Sequence, residues 1–227
     1  WVHVGIDRST AGKLLNFGGW MTVSNVVGPL MVYVDRFIIG AILSISAVTY
    51  YVTPYEMVTR LWALPAAVVA VLFPAFAASK INGTAHAKVL YSLGGRAILL
   101  ILAPIVLVLV VFAKEGLYIW LGSDFSQKST VVVQWLAVGV YLNSFAQVPF
   151  ALIQGVGRAD ITAKLHLLEL PIYLLLLFWS LSFYGIKGVA FAWLVRIVLD
   201  AALLTMMSHR QAKHIASANW QILPFLG

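Results

Sequence analysis

Residues 18–42 read GGWMTVSNVVGPLMVYVDRFIIGAI. As a helix rising about 1.5 Å per residue, the stretch is long enough to cross a hydrocarbon layer of about 30 Å. Asp35 and Arg36 nevertheless sit side by side inside it. A full charge in hydrocarbon costs about 2.5–3.5 kcal/mol on the mildest scale, so such residues normally face protein or water. The stretch therefore spans a membrane, and part of its surface is not meant for lipid.

The same pattern recurs twice. Glu56 and Arg60 lie within YYVTPYEMVTRLWALP (50–65), and Arg196 and Asp200 within VAFAWLVRIVLDAALL (189–204). Around these segments a window of about 19 residues finds six spans, at 18–42, 47–78, 92–113, 130–153, 165–184 and 187–208. Of the 227 residues, 62% are hydrophobic and 10% charged, against roughly 45–50% and about 25% in soluble domains. The runs are helix-length, unlike the short alternating strands of an outer-membrane barrel. The fold class is thus an all-α integral membrane protein, a six-helix transmembrane bundle. Residues 1–17 lead into it and 209–227 follow it as a tail.

Basic residues give the orientation. Nine fall on one side: Arg8, Lys13, Lys80, Lys88, Arg96, Arg158, Lys164, Arg210 and Lys213. The opposite loops hold only Lys114, Lys128 and Lys187. Loops rich in Lys and Arg stay in the cytoplasm, so both ends are expected there. The net charge of +7 is topological, and no nucleic-acid partner is implied. The chain opens WVHVGIDRSTAGK, without Met or a basic-then-apolar leader, as expected of a segment preceded by more chain. The loop after the third span, KEGLYIWLGSDFSQKS (114–129), is expected to begin as an amphipathic stretch with Leu117, Ile119, Trp120 and Leu121 in the outer interface.

Pro54, Pro65 and Pro74 are expected to kink the long second span, and Pro29 the first. Glu56 and Arg60 are four apart with the acid first, so they share a helix face and can pair; Arg196 and Asp200 repeat the spacing in reverse. The plain structural reading is that each pair neutralises itself for insertion. Two pairs plus Asp35-Arg36 on separate spans point instead to a shared hydrated cavity. Consecutive residues point about 100° apart on a helix, so Asp35 and Arg36 cannot stack. Asp35 continues a polar or small stripe of Asn25, Gly28 and Val32, and snorkelling of Arg36 to the interface is the alternative. Gln134, Asn143, Gln147 and Gln154 dot the fourth span. Amides there either bond between helices or line a polar path. Glu169 and His166 read as interfacial, and Gly155/Ala159 and Gly188/Ala192 as small-residue packing pairs.

Several chemistries are excluded. Cysteine is absent, so there are no disulfides or thiolate ligands. His3, His86, His166, His209 and His214 are scattered, with no H-E-x-x-H and hence no expected metal centre. No P-loop and no G-x-S-x-G nucleophile elbow occurs. No cofactor is expected.

Three blocks then carry a resemblance: GGWMTVSNVVGPLMVYVDRFIIGAILSISAVTYYVTPYEMVTRLWALPAAVVAVLFPAFA (18–77), WLGSDF (120–125) and LIQGVGRADITAKLHLLELPIYLLLL (152–177). Over about 15–208 the chain resembles O-antigen/oligosaccharide flippases, the Wzx-like branch of the multidrug/oligosaccharidyl-lipid/polysaccharide (MOP) exporter superfamily. The resemblance implies the C-terminal lobe of a two-lobed MOP/MATE-like transporter in the bacterial inner membrane. Such a protein moves undecaprenyl-pyrophosphate-linked sugar repeat units by alternating access. Its partners would be the lipid-linked oligosaccharide, membrane lipids, the N-terminal lobe and a polysaccharide polymerase. Arg36, Arg60, Arg196, Asn25, Asn143 and Gln147 would then meet the headgroup and sugars, while Asp35, Glu56 and Asp200 would anchor arginines or couple ions. A MATE-like drug/cation antiporter would depend on the acids instead. An intramembrane glycosyl or acyl transferase would need an outer-loop catalytic group, where only Glu115 and Asp124 lie in the third outer loop. A structural partner in polysaccharide assembly would need neither.

Overall fold

The computed structural model describes the backbone of residues 8–82 and 84–222. The first seven residues of the lead-in and the last five of the tail lie outside the described residues. The elements are α1 (Arg8–Ile42), α2 (Ile45–Thr59), a 3₁₀ turn (Arg60–Trp62), α3 (Ala63–Asn82), α4 (Thr84–Val111), α5 (Ala113–Leu121), α6 (Ser123–Gly155) and α7 (Ala159–Ile222). Helices satisfy every backbone group within one segment, which a dry hydrocarbon layer demands.

Five of these stretches are long and apolar enough to cross a membrane, counting α2, the turn and α3 as one. The last runs for 53 residues, Ala159–Gln211, about 80 Å if straight and far beyond one crossing. It is not straight. Gly185 has φ 58° and ψ −142°, a left-handed conformation that residues with a Cβ resist. The chain folds back there so tightly that a Cβ on Gly188 would collide with the Ser180 carbonyl. α7 is thus a hairpin of two arms, so the described residues hold six segments long enough to cross.

The other turns are equally legible in chemistry. Ser44 caps α2, its side chain accepting from the Ala47 amide at 3.1 Å. α6 ends in a Schellman turn: the Arg158 amide donates to Ile153 O (3.1 Å) and that of Gly157 to Gln154 O (2.9 Å), with Gly157 at φ 80°. That turn separates Gly155 from Ala159, so they do not form a packing pair on one helix. Gly155 still permits a close approach to α3, where an added Cβ would lie 3.0 Å from that of Phe76.

The second span breaks where its prolines allow. The α-helix gives way to a 3₁₀ turn at Arg60–Trp62, just ahead of Pro65. That proline cannot donate to the Leu61 carbonyl and crowds it. Pro29, Pro149 and Pro171 lie inside continuous α-helix.

α6 is the hub. In its apolar window 61% of residues are buried, against 17–39% in the other spans. Small residues let its neighbours close in: Trp193 of α7 packs so tightly on Gly139 that an added Cβ would collide with the indole. Trp193, Tyr51 and Tyr173 are among the largest side chains wholly buried. Leu100 and Leu107 of α4 lie on the exposed apolar surface. On α5, Leu117 is buried while Tyr118, Ile119 and Trp120 are exposed, as an interfacial helix requires.

Candidate functional site

The Asp35-Arg36 dipeptide divides the charges of the bundle in two. Asp35 is fully buried. Its Oδ2 accepts from the Tyr51 hydroxyl at 2.7 Å and its Oδ1 from the Arg36 amide at 2.7 Å. Arg36, roughly 100° further round α1, leaves the interior. Its Nη2 donates to Glu56 Oε1 at 2.6 Å. Its guanidinium lies 4.9 Å from the Tyr33 ring centre and 5.2 Å from that of Tyr55, within cation–π range.

The expected Glu56–Arg60 pair does not form. Glu56 takes Arg36 from the neighbouring helix instead, at 2.6 Å. Arg60 is exposed and makes no ion pair among the described residues. Asn25 is exposed on α1 as well. Asn25, the Arg36–Glu56 pair and Arg60 therefore stand on the uncovered surface of α1, α2 and the turn.

Arg196 stays inside. Its Nη1 approaches Met31 Sδ at 3.7 Å and its guanidinium lies 5.4 Å from the Tyr173 ring centre. The acids that feel its charge are Asp35, Glu169 and Asp200, yet none approaches within ion-pair distance among the described residues. Side chains lean toward a helix N-terminus, so Arg196 reaches away from Asp200, and the reversed spacing gives no contact pair. Asp200 faces Glu169 across the α7 hairpin instead.

Asn143 and Gln147 join this interior group. They line a cavity of about 180 Å³ between α6 and α7 with His166 and Asp200. Gln134 donates to Val110 O (3.0 Å) and Gln154 to Thr162 Oγ1 (3.4 Å), so these two amides tie helices together. Glu169 was the residue least legible as interior. α7 begins at Ala159, so Glu169 lies ten residues, about 15 Å, into the helix and is only 6% exposed. His166 is half-buried, stacked on Phe150 at 5.9 Å. Tyr51, Tyr55 and Tyr173, which wrap Asp35 and the arginines, also escape a reading of charges alone. Their signal was tyrosine away from the interfacial belts where it is usually enriched.

The charges thus segregate. The uncovered surface holds Arg36 and Arg60 against Glu56, a cationic surplus. The interior holds Arg196 against Asp35, Glu169 and Asp200, an acidic one. Summed over the first, second and sixth spans alone the intramembrane charges cancel, three bases against three acids, and Glu169 on the fifth span adds a further acid.

Residues 2–130, more than half the chain, match the family described as polysaccharide biosynthesis protein. Over 201 residues the chain is 36% identical to a Shigella flexneri protein named "Putative O-antigen transporter". That alignment covers 88% of the chain and 48% of the relative, so the chain spans about half the relative's length. It is also similar to a solved structure, the outward-facing conformation of a multidrug resistance MATE family transporter of the MOP superfamily. The TM-score is 0.73 at 16% identity, covering 85% of this chain and 43% of that one. The fold is therefore that of about half such a transporter, an all-α multi-pass membrane bundle, and the chain belongs to the polysaccharide biosynthesis protein family.

Proposed function

We propose that the chain is the C-terminal lobe of a flippase that carries undecaprenyl-pyrophosphate-linked oligosaccharide across the bacterial inner membrane by alternating access. The observation that carries this reading is the uncovered row of Asn25, Arg36, Glu56 and Arg60 at membrane depth. Charges at that depth face water or protein. An uncovered surface in half of a two-lobed fold is where the other lobe and a hydrated lumen belong. Arginine suits the substrate, because its planar fork binds phosphate bidentately and keeps its charge.

In this reading Arg36 and Arg60 meet the pyrophosphate or acidic sugars, and Asn25 meets sugar hydroxyls. Glu56 holds Arg36 in place, and lipid contacts the apolar surface of α4. The N-terminal lobe closes the lumen, and a polysaccharide polymerase receives the product. Both ends of the chain lie in the cytoplasm. Arg196, with Asn143 and Gln147, acts from the interior rather than on the lumen wall.

Arg60→Ala tests the proposal in a flippase-deficient strain. A hydrogen bond to a charged group contributes about 1.5–3 kcal/mol, so export should fall roughly ten- to hundredfold. Membrane levels should stay normal, because Arg60 is exposed and makes no ion pair among the described residues. Wild-type surface glycan at wild-type protein level would refute the lumen arginine.

A further inference from the structure

The end of the bundle where α7 folds back carries a cavity that shares no residue with the polar row of α1 and α2 or with the interior acids. Its volume is about 530 Å³, in the range of ligand pockets. The α1–α2 loop and the start of α2 form one wall with Ser44 and Ser46, α6 a second with Lys128, and the α7 turn a third with Tyr184 and Lys187. The local backbone explains why they converge. Ser44 starts α2 by capping the Ala47 amide, and left-handed Gly185 reverses α7, so residues from both sides of that turn line one space.

The charges there do not balance. Lys128 donates to Asp124 Oδ2 at 3.1 Å and to the Tyr50 hydroxyl at 3.2 Å, and it lies 4.4 Å from the Tyr50 ring centre. The Tyr50 hydroxyl donates in turn to Asp124 Oδ2 at 2.9 Å. Lys128 is thus held in place, and Asp124 answers its charge. Lys187 is exposed and makes no ion pair among the described residues. Two lysines and one carboxylate leave a single positive charge at the cavity. The first turn of α2 reinforces it, because the leading amides of a helix lack intrahelical acceptors and carry the positive end of its dipole. The hydroxyls of Ser44 and Ser46 are further donors. Aromatic rings mark the depth. Tyr184 lies 6.4 Å from Trp179, which lies 5.6 Å from Phe183, between ring centres, and all three are exposed. Trp and Tyr concentrate at headgroup level, so the cavity opens beside lipid phosphates.

We propose that this cavity binds the headgroup of an anionic phospholipid, with Lys128 and Lys187 flanking its phosphodiester and its acyl chains lying along the Trp179–Phe183–Tyr184 face. Charge selects the headgroup. A phosphodiester with no counter-charge carries one negative charge, which cancels the single positive surplus, whereas a zwitterionic headgroup brings its own ammonium. The aromatic face separates a lipid from free phosphate, which would use the same donors and leave the rings idle. The leaflet is the outer one on the orientation proposed above. Binding is read without transport and without orientation, so it stands or fails separately from the flippase reading.

The test uses the full-length protein in neutral detergent, with any cysteine outside this chain replaced and a small fluorophore on Ile45→Cys. Ile45 is 83% exposed and does not line the cavity, so it reports from the rim. Phosphatidylglycerol with brominated acyl chains should quench the fluorophore at a lower mole fraction than brominated phosphatidylcholine. Lys187→Gln should raise the phosphatidylglycerol needed for half-quenching about fivefold, the equivalent of about 1 kcal/mol for one lysine at a membrane surface. Adding Lys128→Gln leaves Asp124 unanswered and should bring the two lipids level. Lys114→Gln removes a lysine that lies outside the cavity and should change nothing. Inorganic phosphate at matched ionic strength should not displace the lipid. Lys187→Gln carries the test should Lys128→Gln loosen α2 from α6, because Lys187 breaks no ion pair among the described residues. Equal quenching by the two lipids in the parent would overturn the proposal, as would a phosphatidylglycerol response unchanged in Lys187→Gln. So would displacement by inorganic phosphate, the mark of a site for a soluble anion.

Discussion

Replacing Arg196 by Met should remove most of the folded protein from the membrane. Arg196 is the cation common to Asp35, Glu169 and Asp200, all of them buried. Methionine fills similar volume and can keep the contact with Met31, so the loss is chiefly of charge. Removing one member of a buried charge group costs about 3–5 kcal/mol, because the rest remain desolvated and uncompensated. Set against a total stability of roughly 5–15 kcal/mol, that is enough to deplete the native state. The check is the monodisperse fraction in detergent size-exclusion chromatography. Arg196→Lys, which keeps the charge, should recover much of it. Adding Asp35→Asn and Asp200→Asn to Arg196→Met should recover part by removing the stranded acids. An Arg196→Met protein that accumulates and unfolds like the parent would show that the interior acids do not rely on it.

The second large effect belongs to the pair joining α1 to α2. Arg36→Glu sets two carboxylates where a 2.6 Å ion pair stood, and should abolish export of surface glycan. Glu56 is half-exposed, its side chain at 56% against 21% for Arg36. The pair therefore lies between the surface limit of about 0–1 kcal/mol and the buried regime. A double-mutant cycle is the way to extract its coupling, and about 1–2 kcal/mol is expected. Exchanging the partners, Arg36→Glu with Glu56→Arg, restores attraction and leaves one cation on the same surface. Export should return in part and the unfolding midpoint nearly in full. A double variant no better than Arg36→Glu alone would mean that Glu56 is not the partner that matters.

What could be read from residues alone follows from the range of the forces involved. Burial in hydrocarbon acts on each segment separately, so an all-helical, multi-pass membrane fold was legible. Pairing was not, because it depends on helix rotation. Glu56 pairs with Arg36 on another helix rather than with Arg60 one turn along its own. Side-chain lean carried Arg196 outward from Asp200 toward Met31. Glu169 seemed interfacial because its span was begun at residue 165, whereas the helix starts at Ala159 and Pro171 does not end it. The amides of the fourth span looked alike in sequence, and only packing sorts Gln134 and Gln154, which bond, from Asn143 and Gln147, which face a cavity. One reading from geometry did carry through: consecutive Asp35 and Arg36 had to diverge, and their divergence separates the acidic interior from the cationic surface.

That separation stands or falls on whether the uncovered surface of α1 and the Arg60 turn meets water. The chain contains no cysteine, so once any cysteine elsewhere in the full-length protein is replaced, single cysteines can be read without background in intact membranes. Asn25→Cys and Arg60→Cys should react with a small membrane-impermeant maleimide added to both sides of the membrane. Leu100→Cys and Leu107→Cys on α4, at 74% and 63% exposure in the native residues, should remain unlabelled until detergent is added. Labelling at positions 25 and 60 with silence at 100 and 107 is the predicted result. Four silent positions would place the Arg36–Arg60 surface against lipid or sealed protein, and the hydrated lumen would be lost with it.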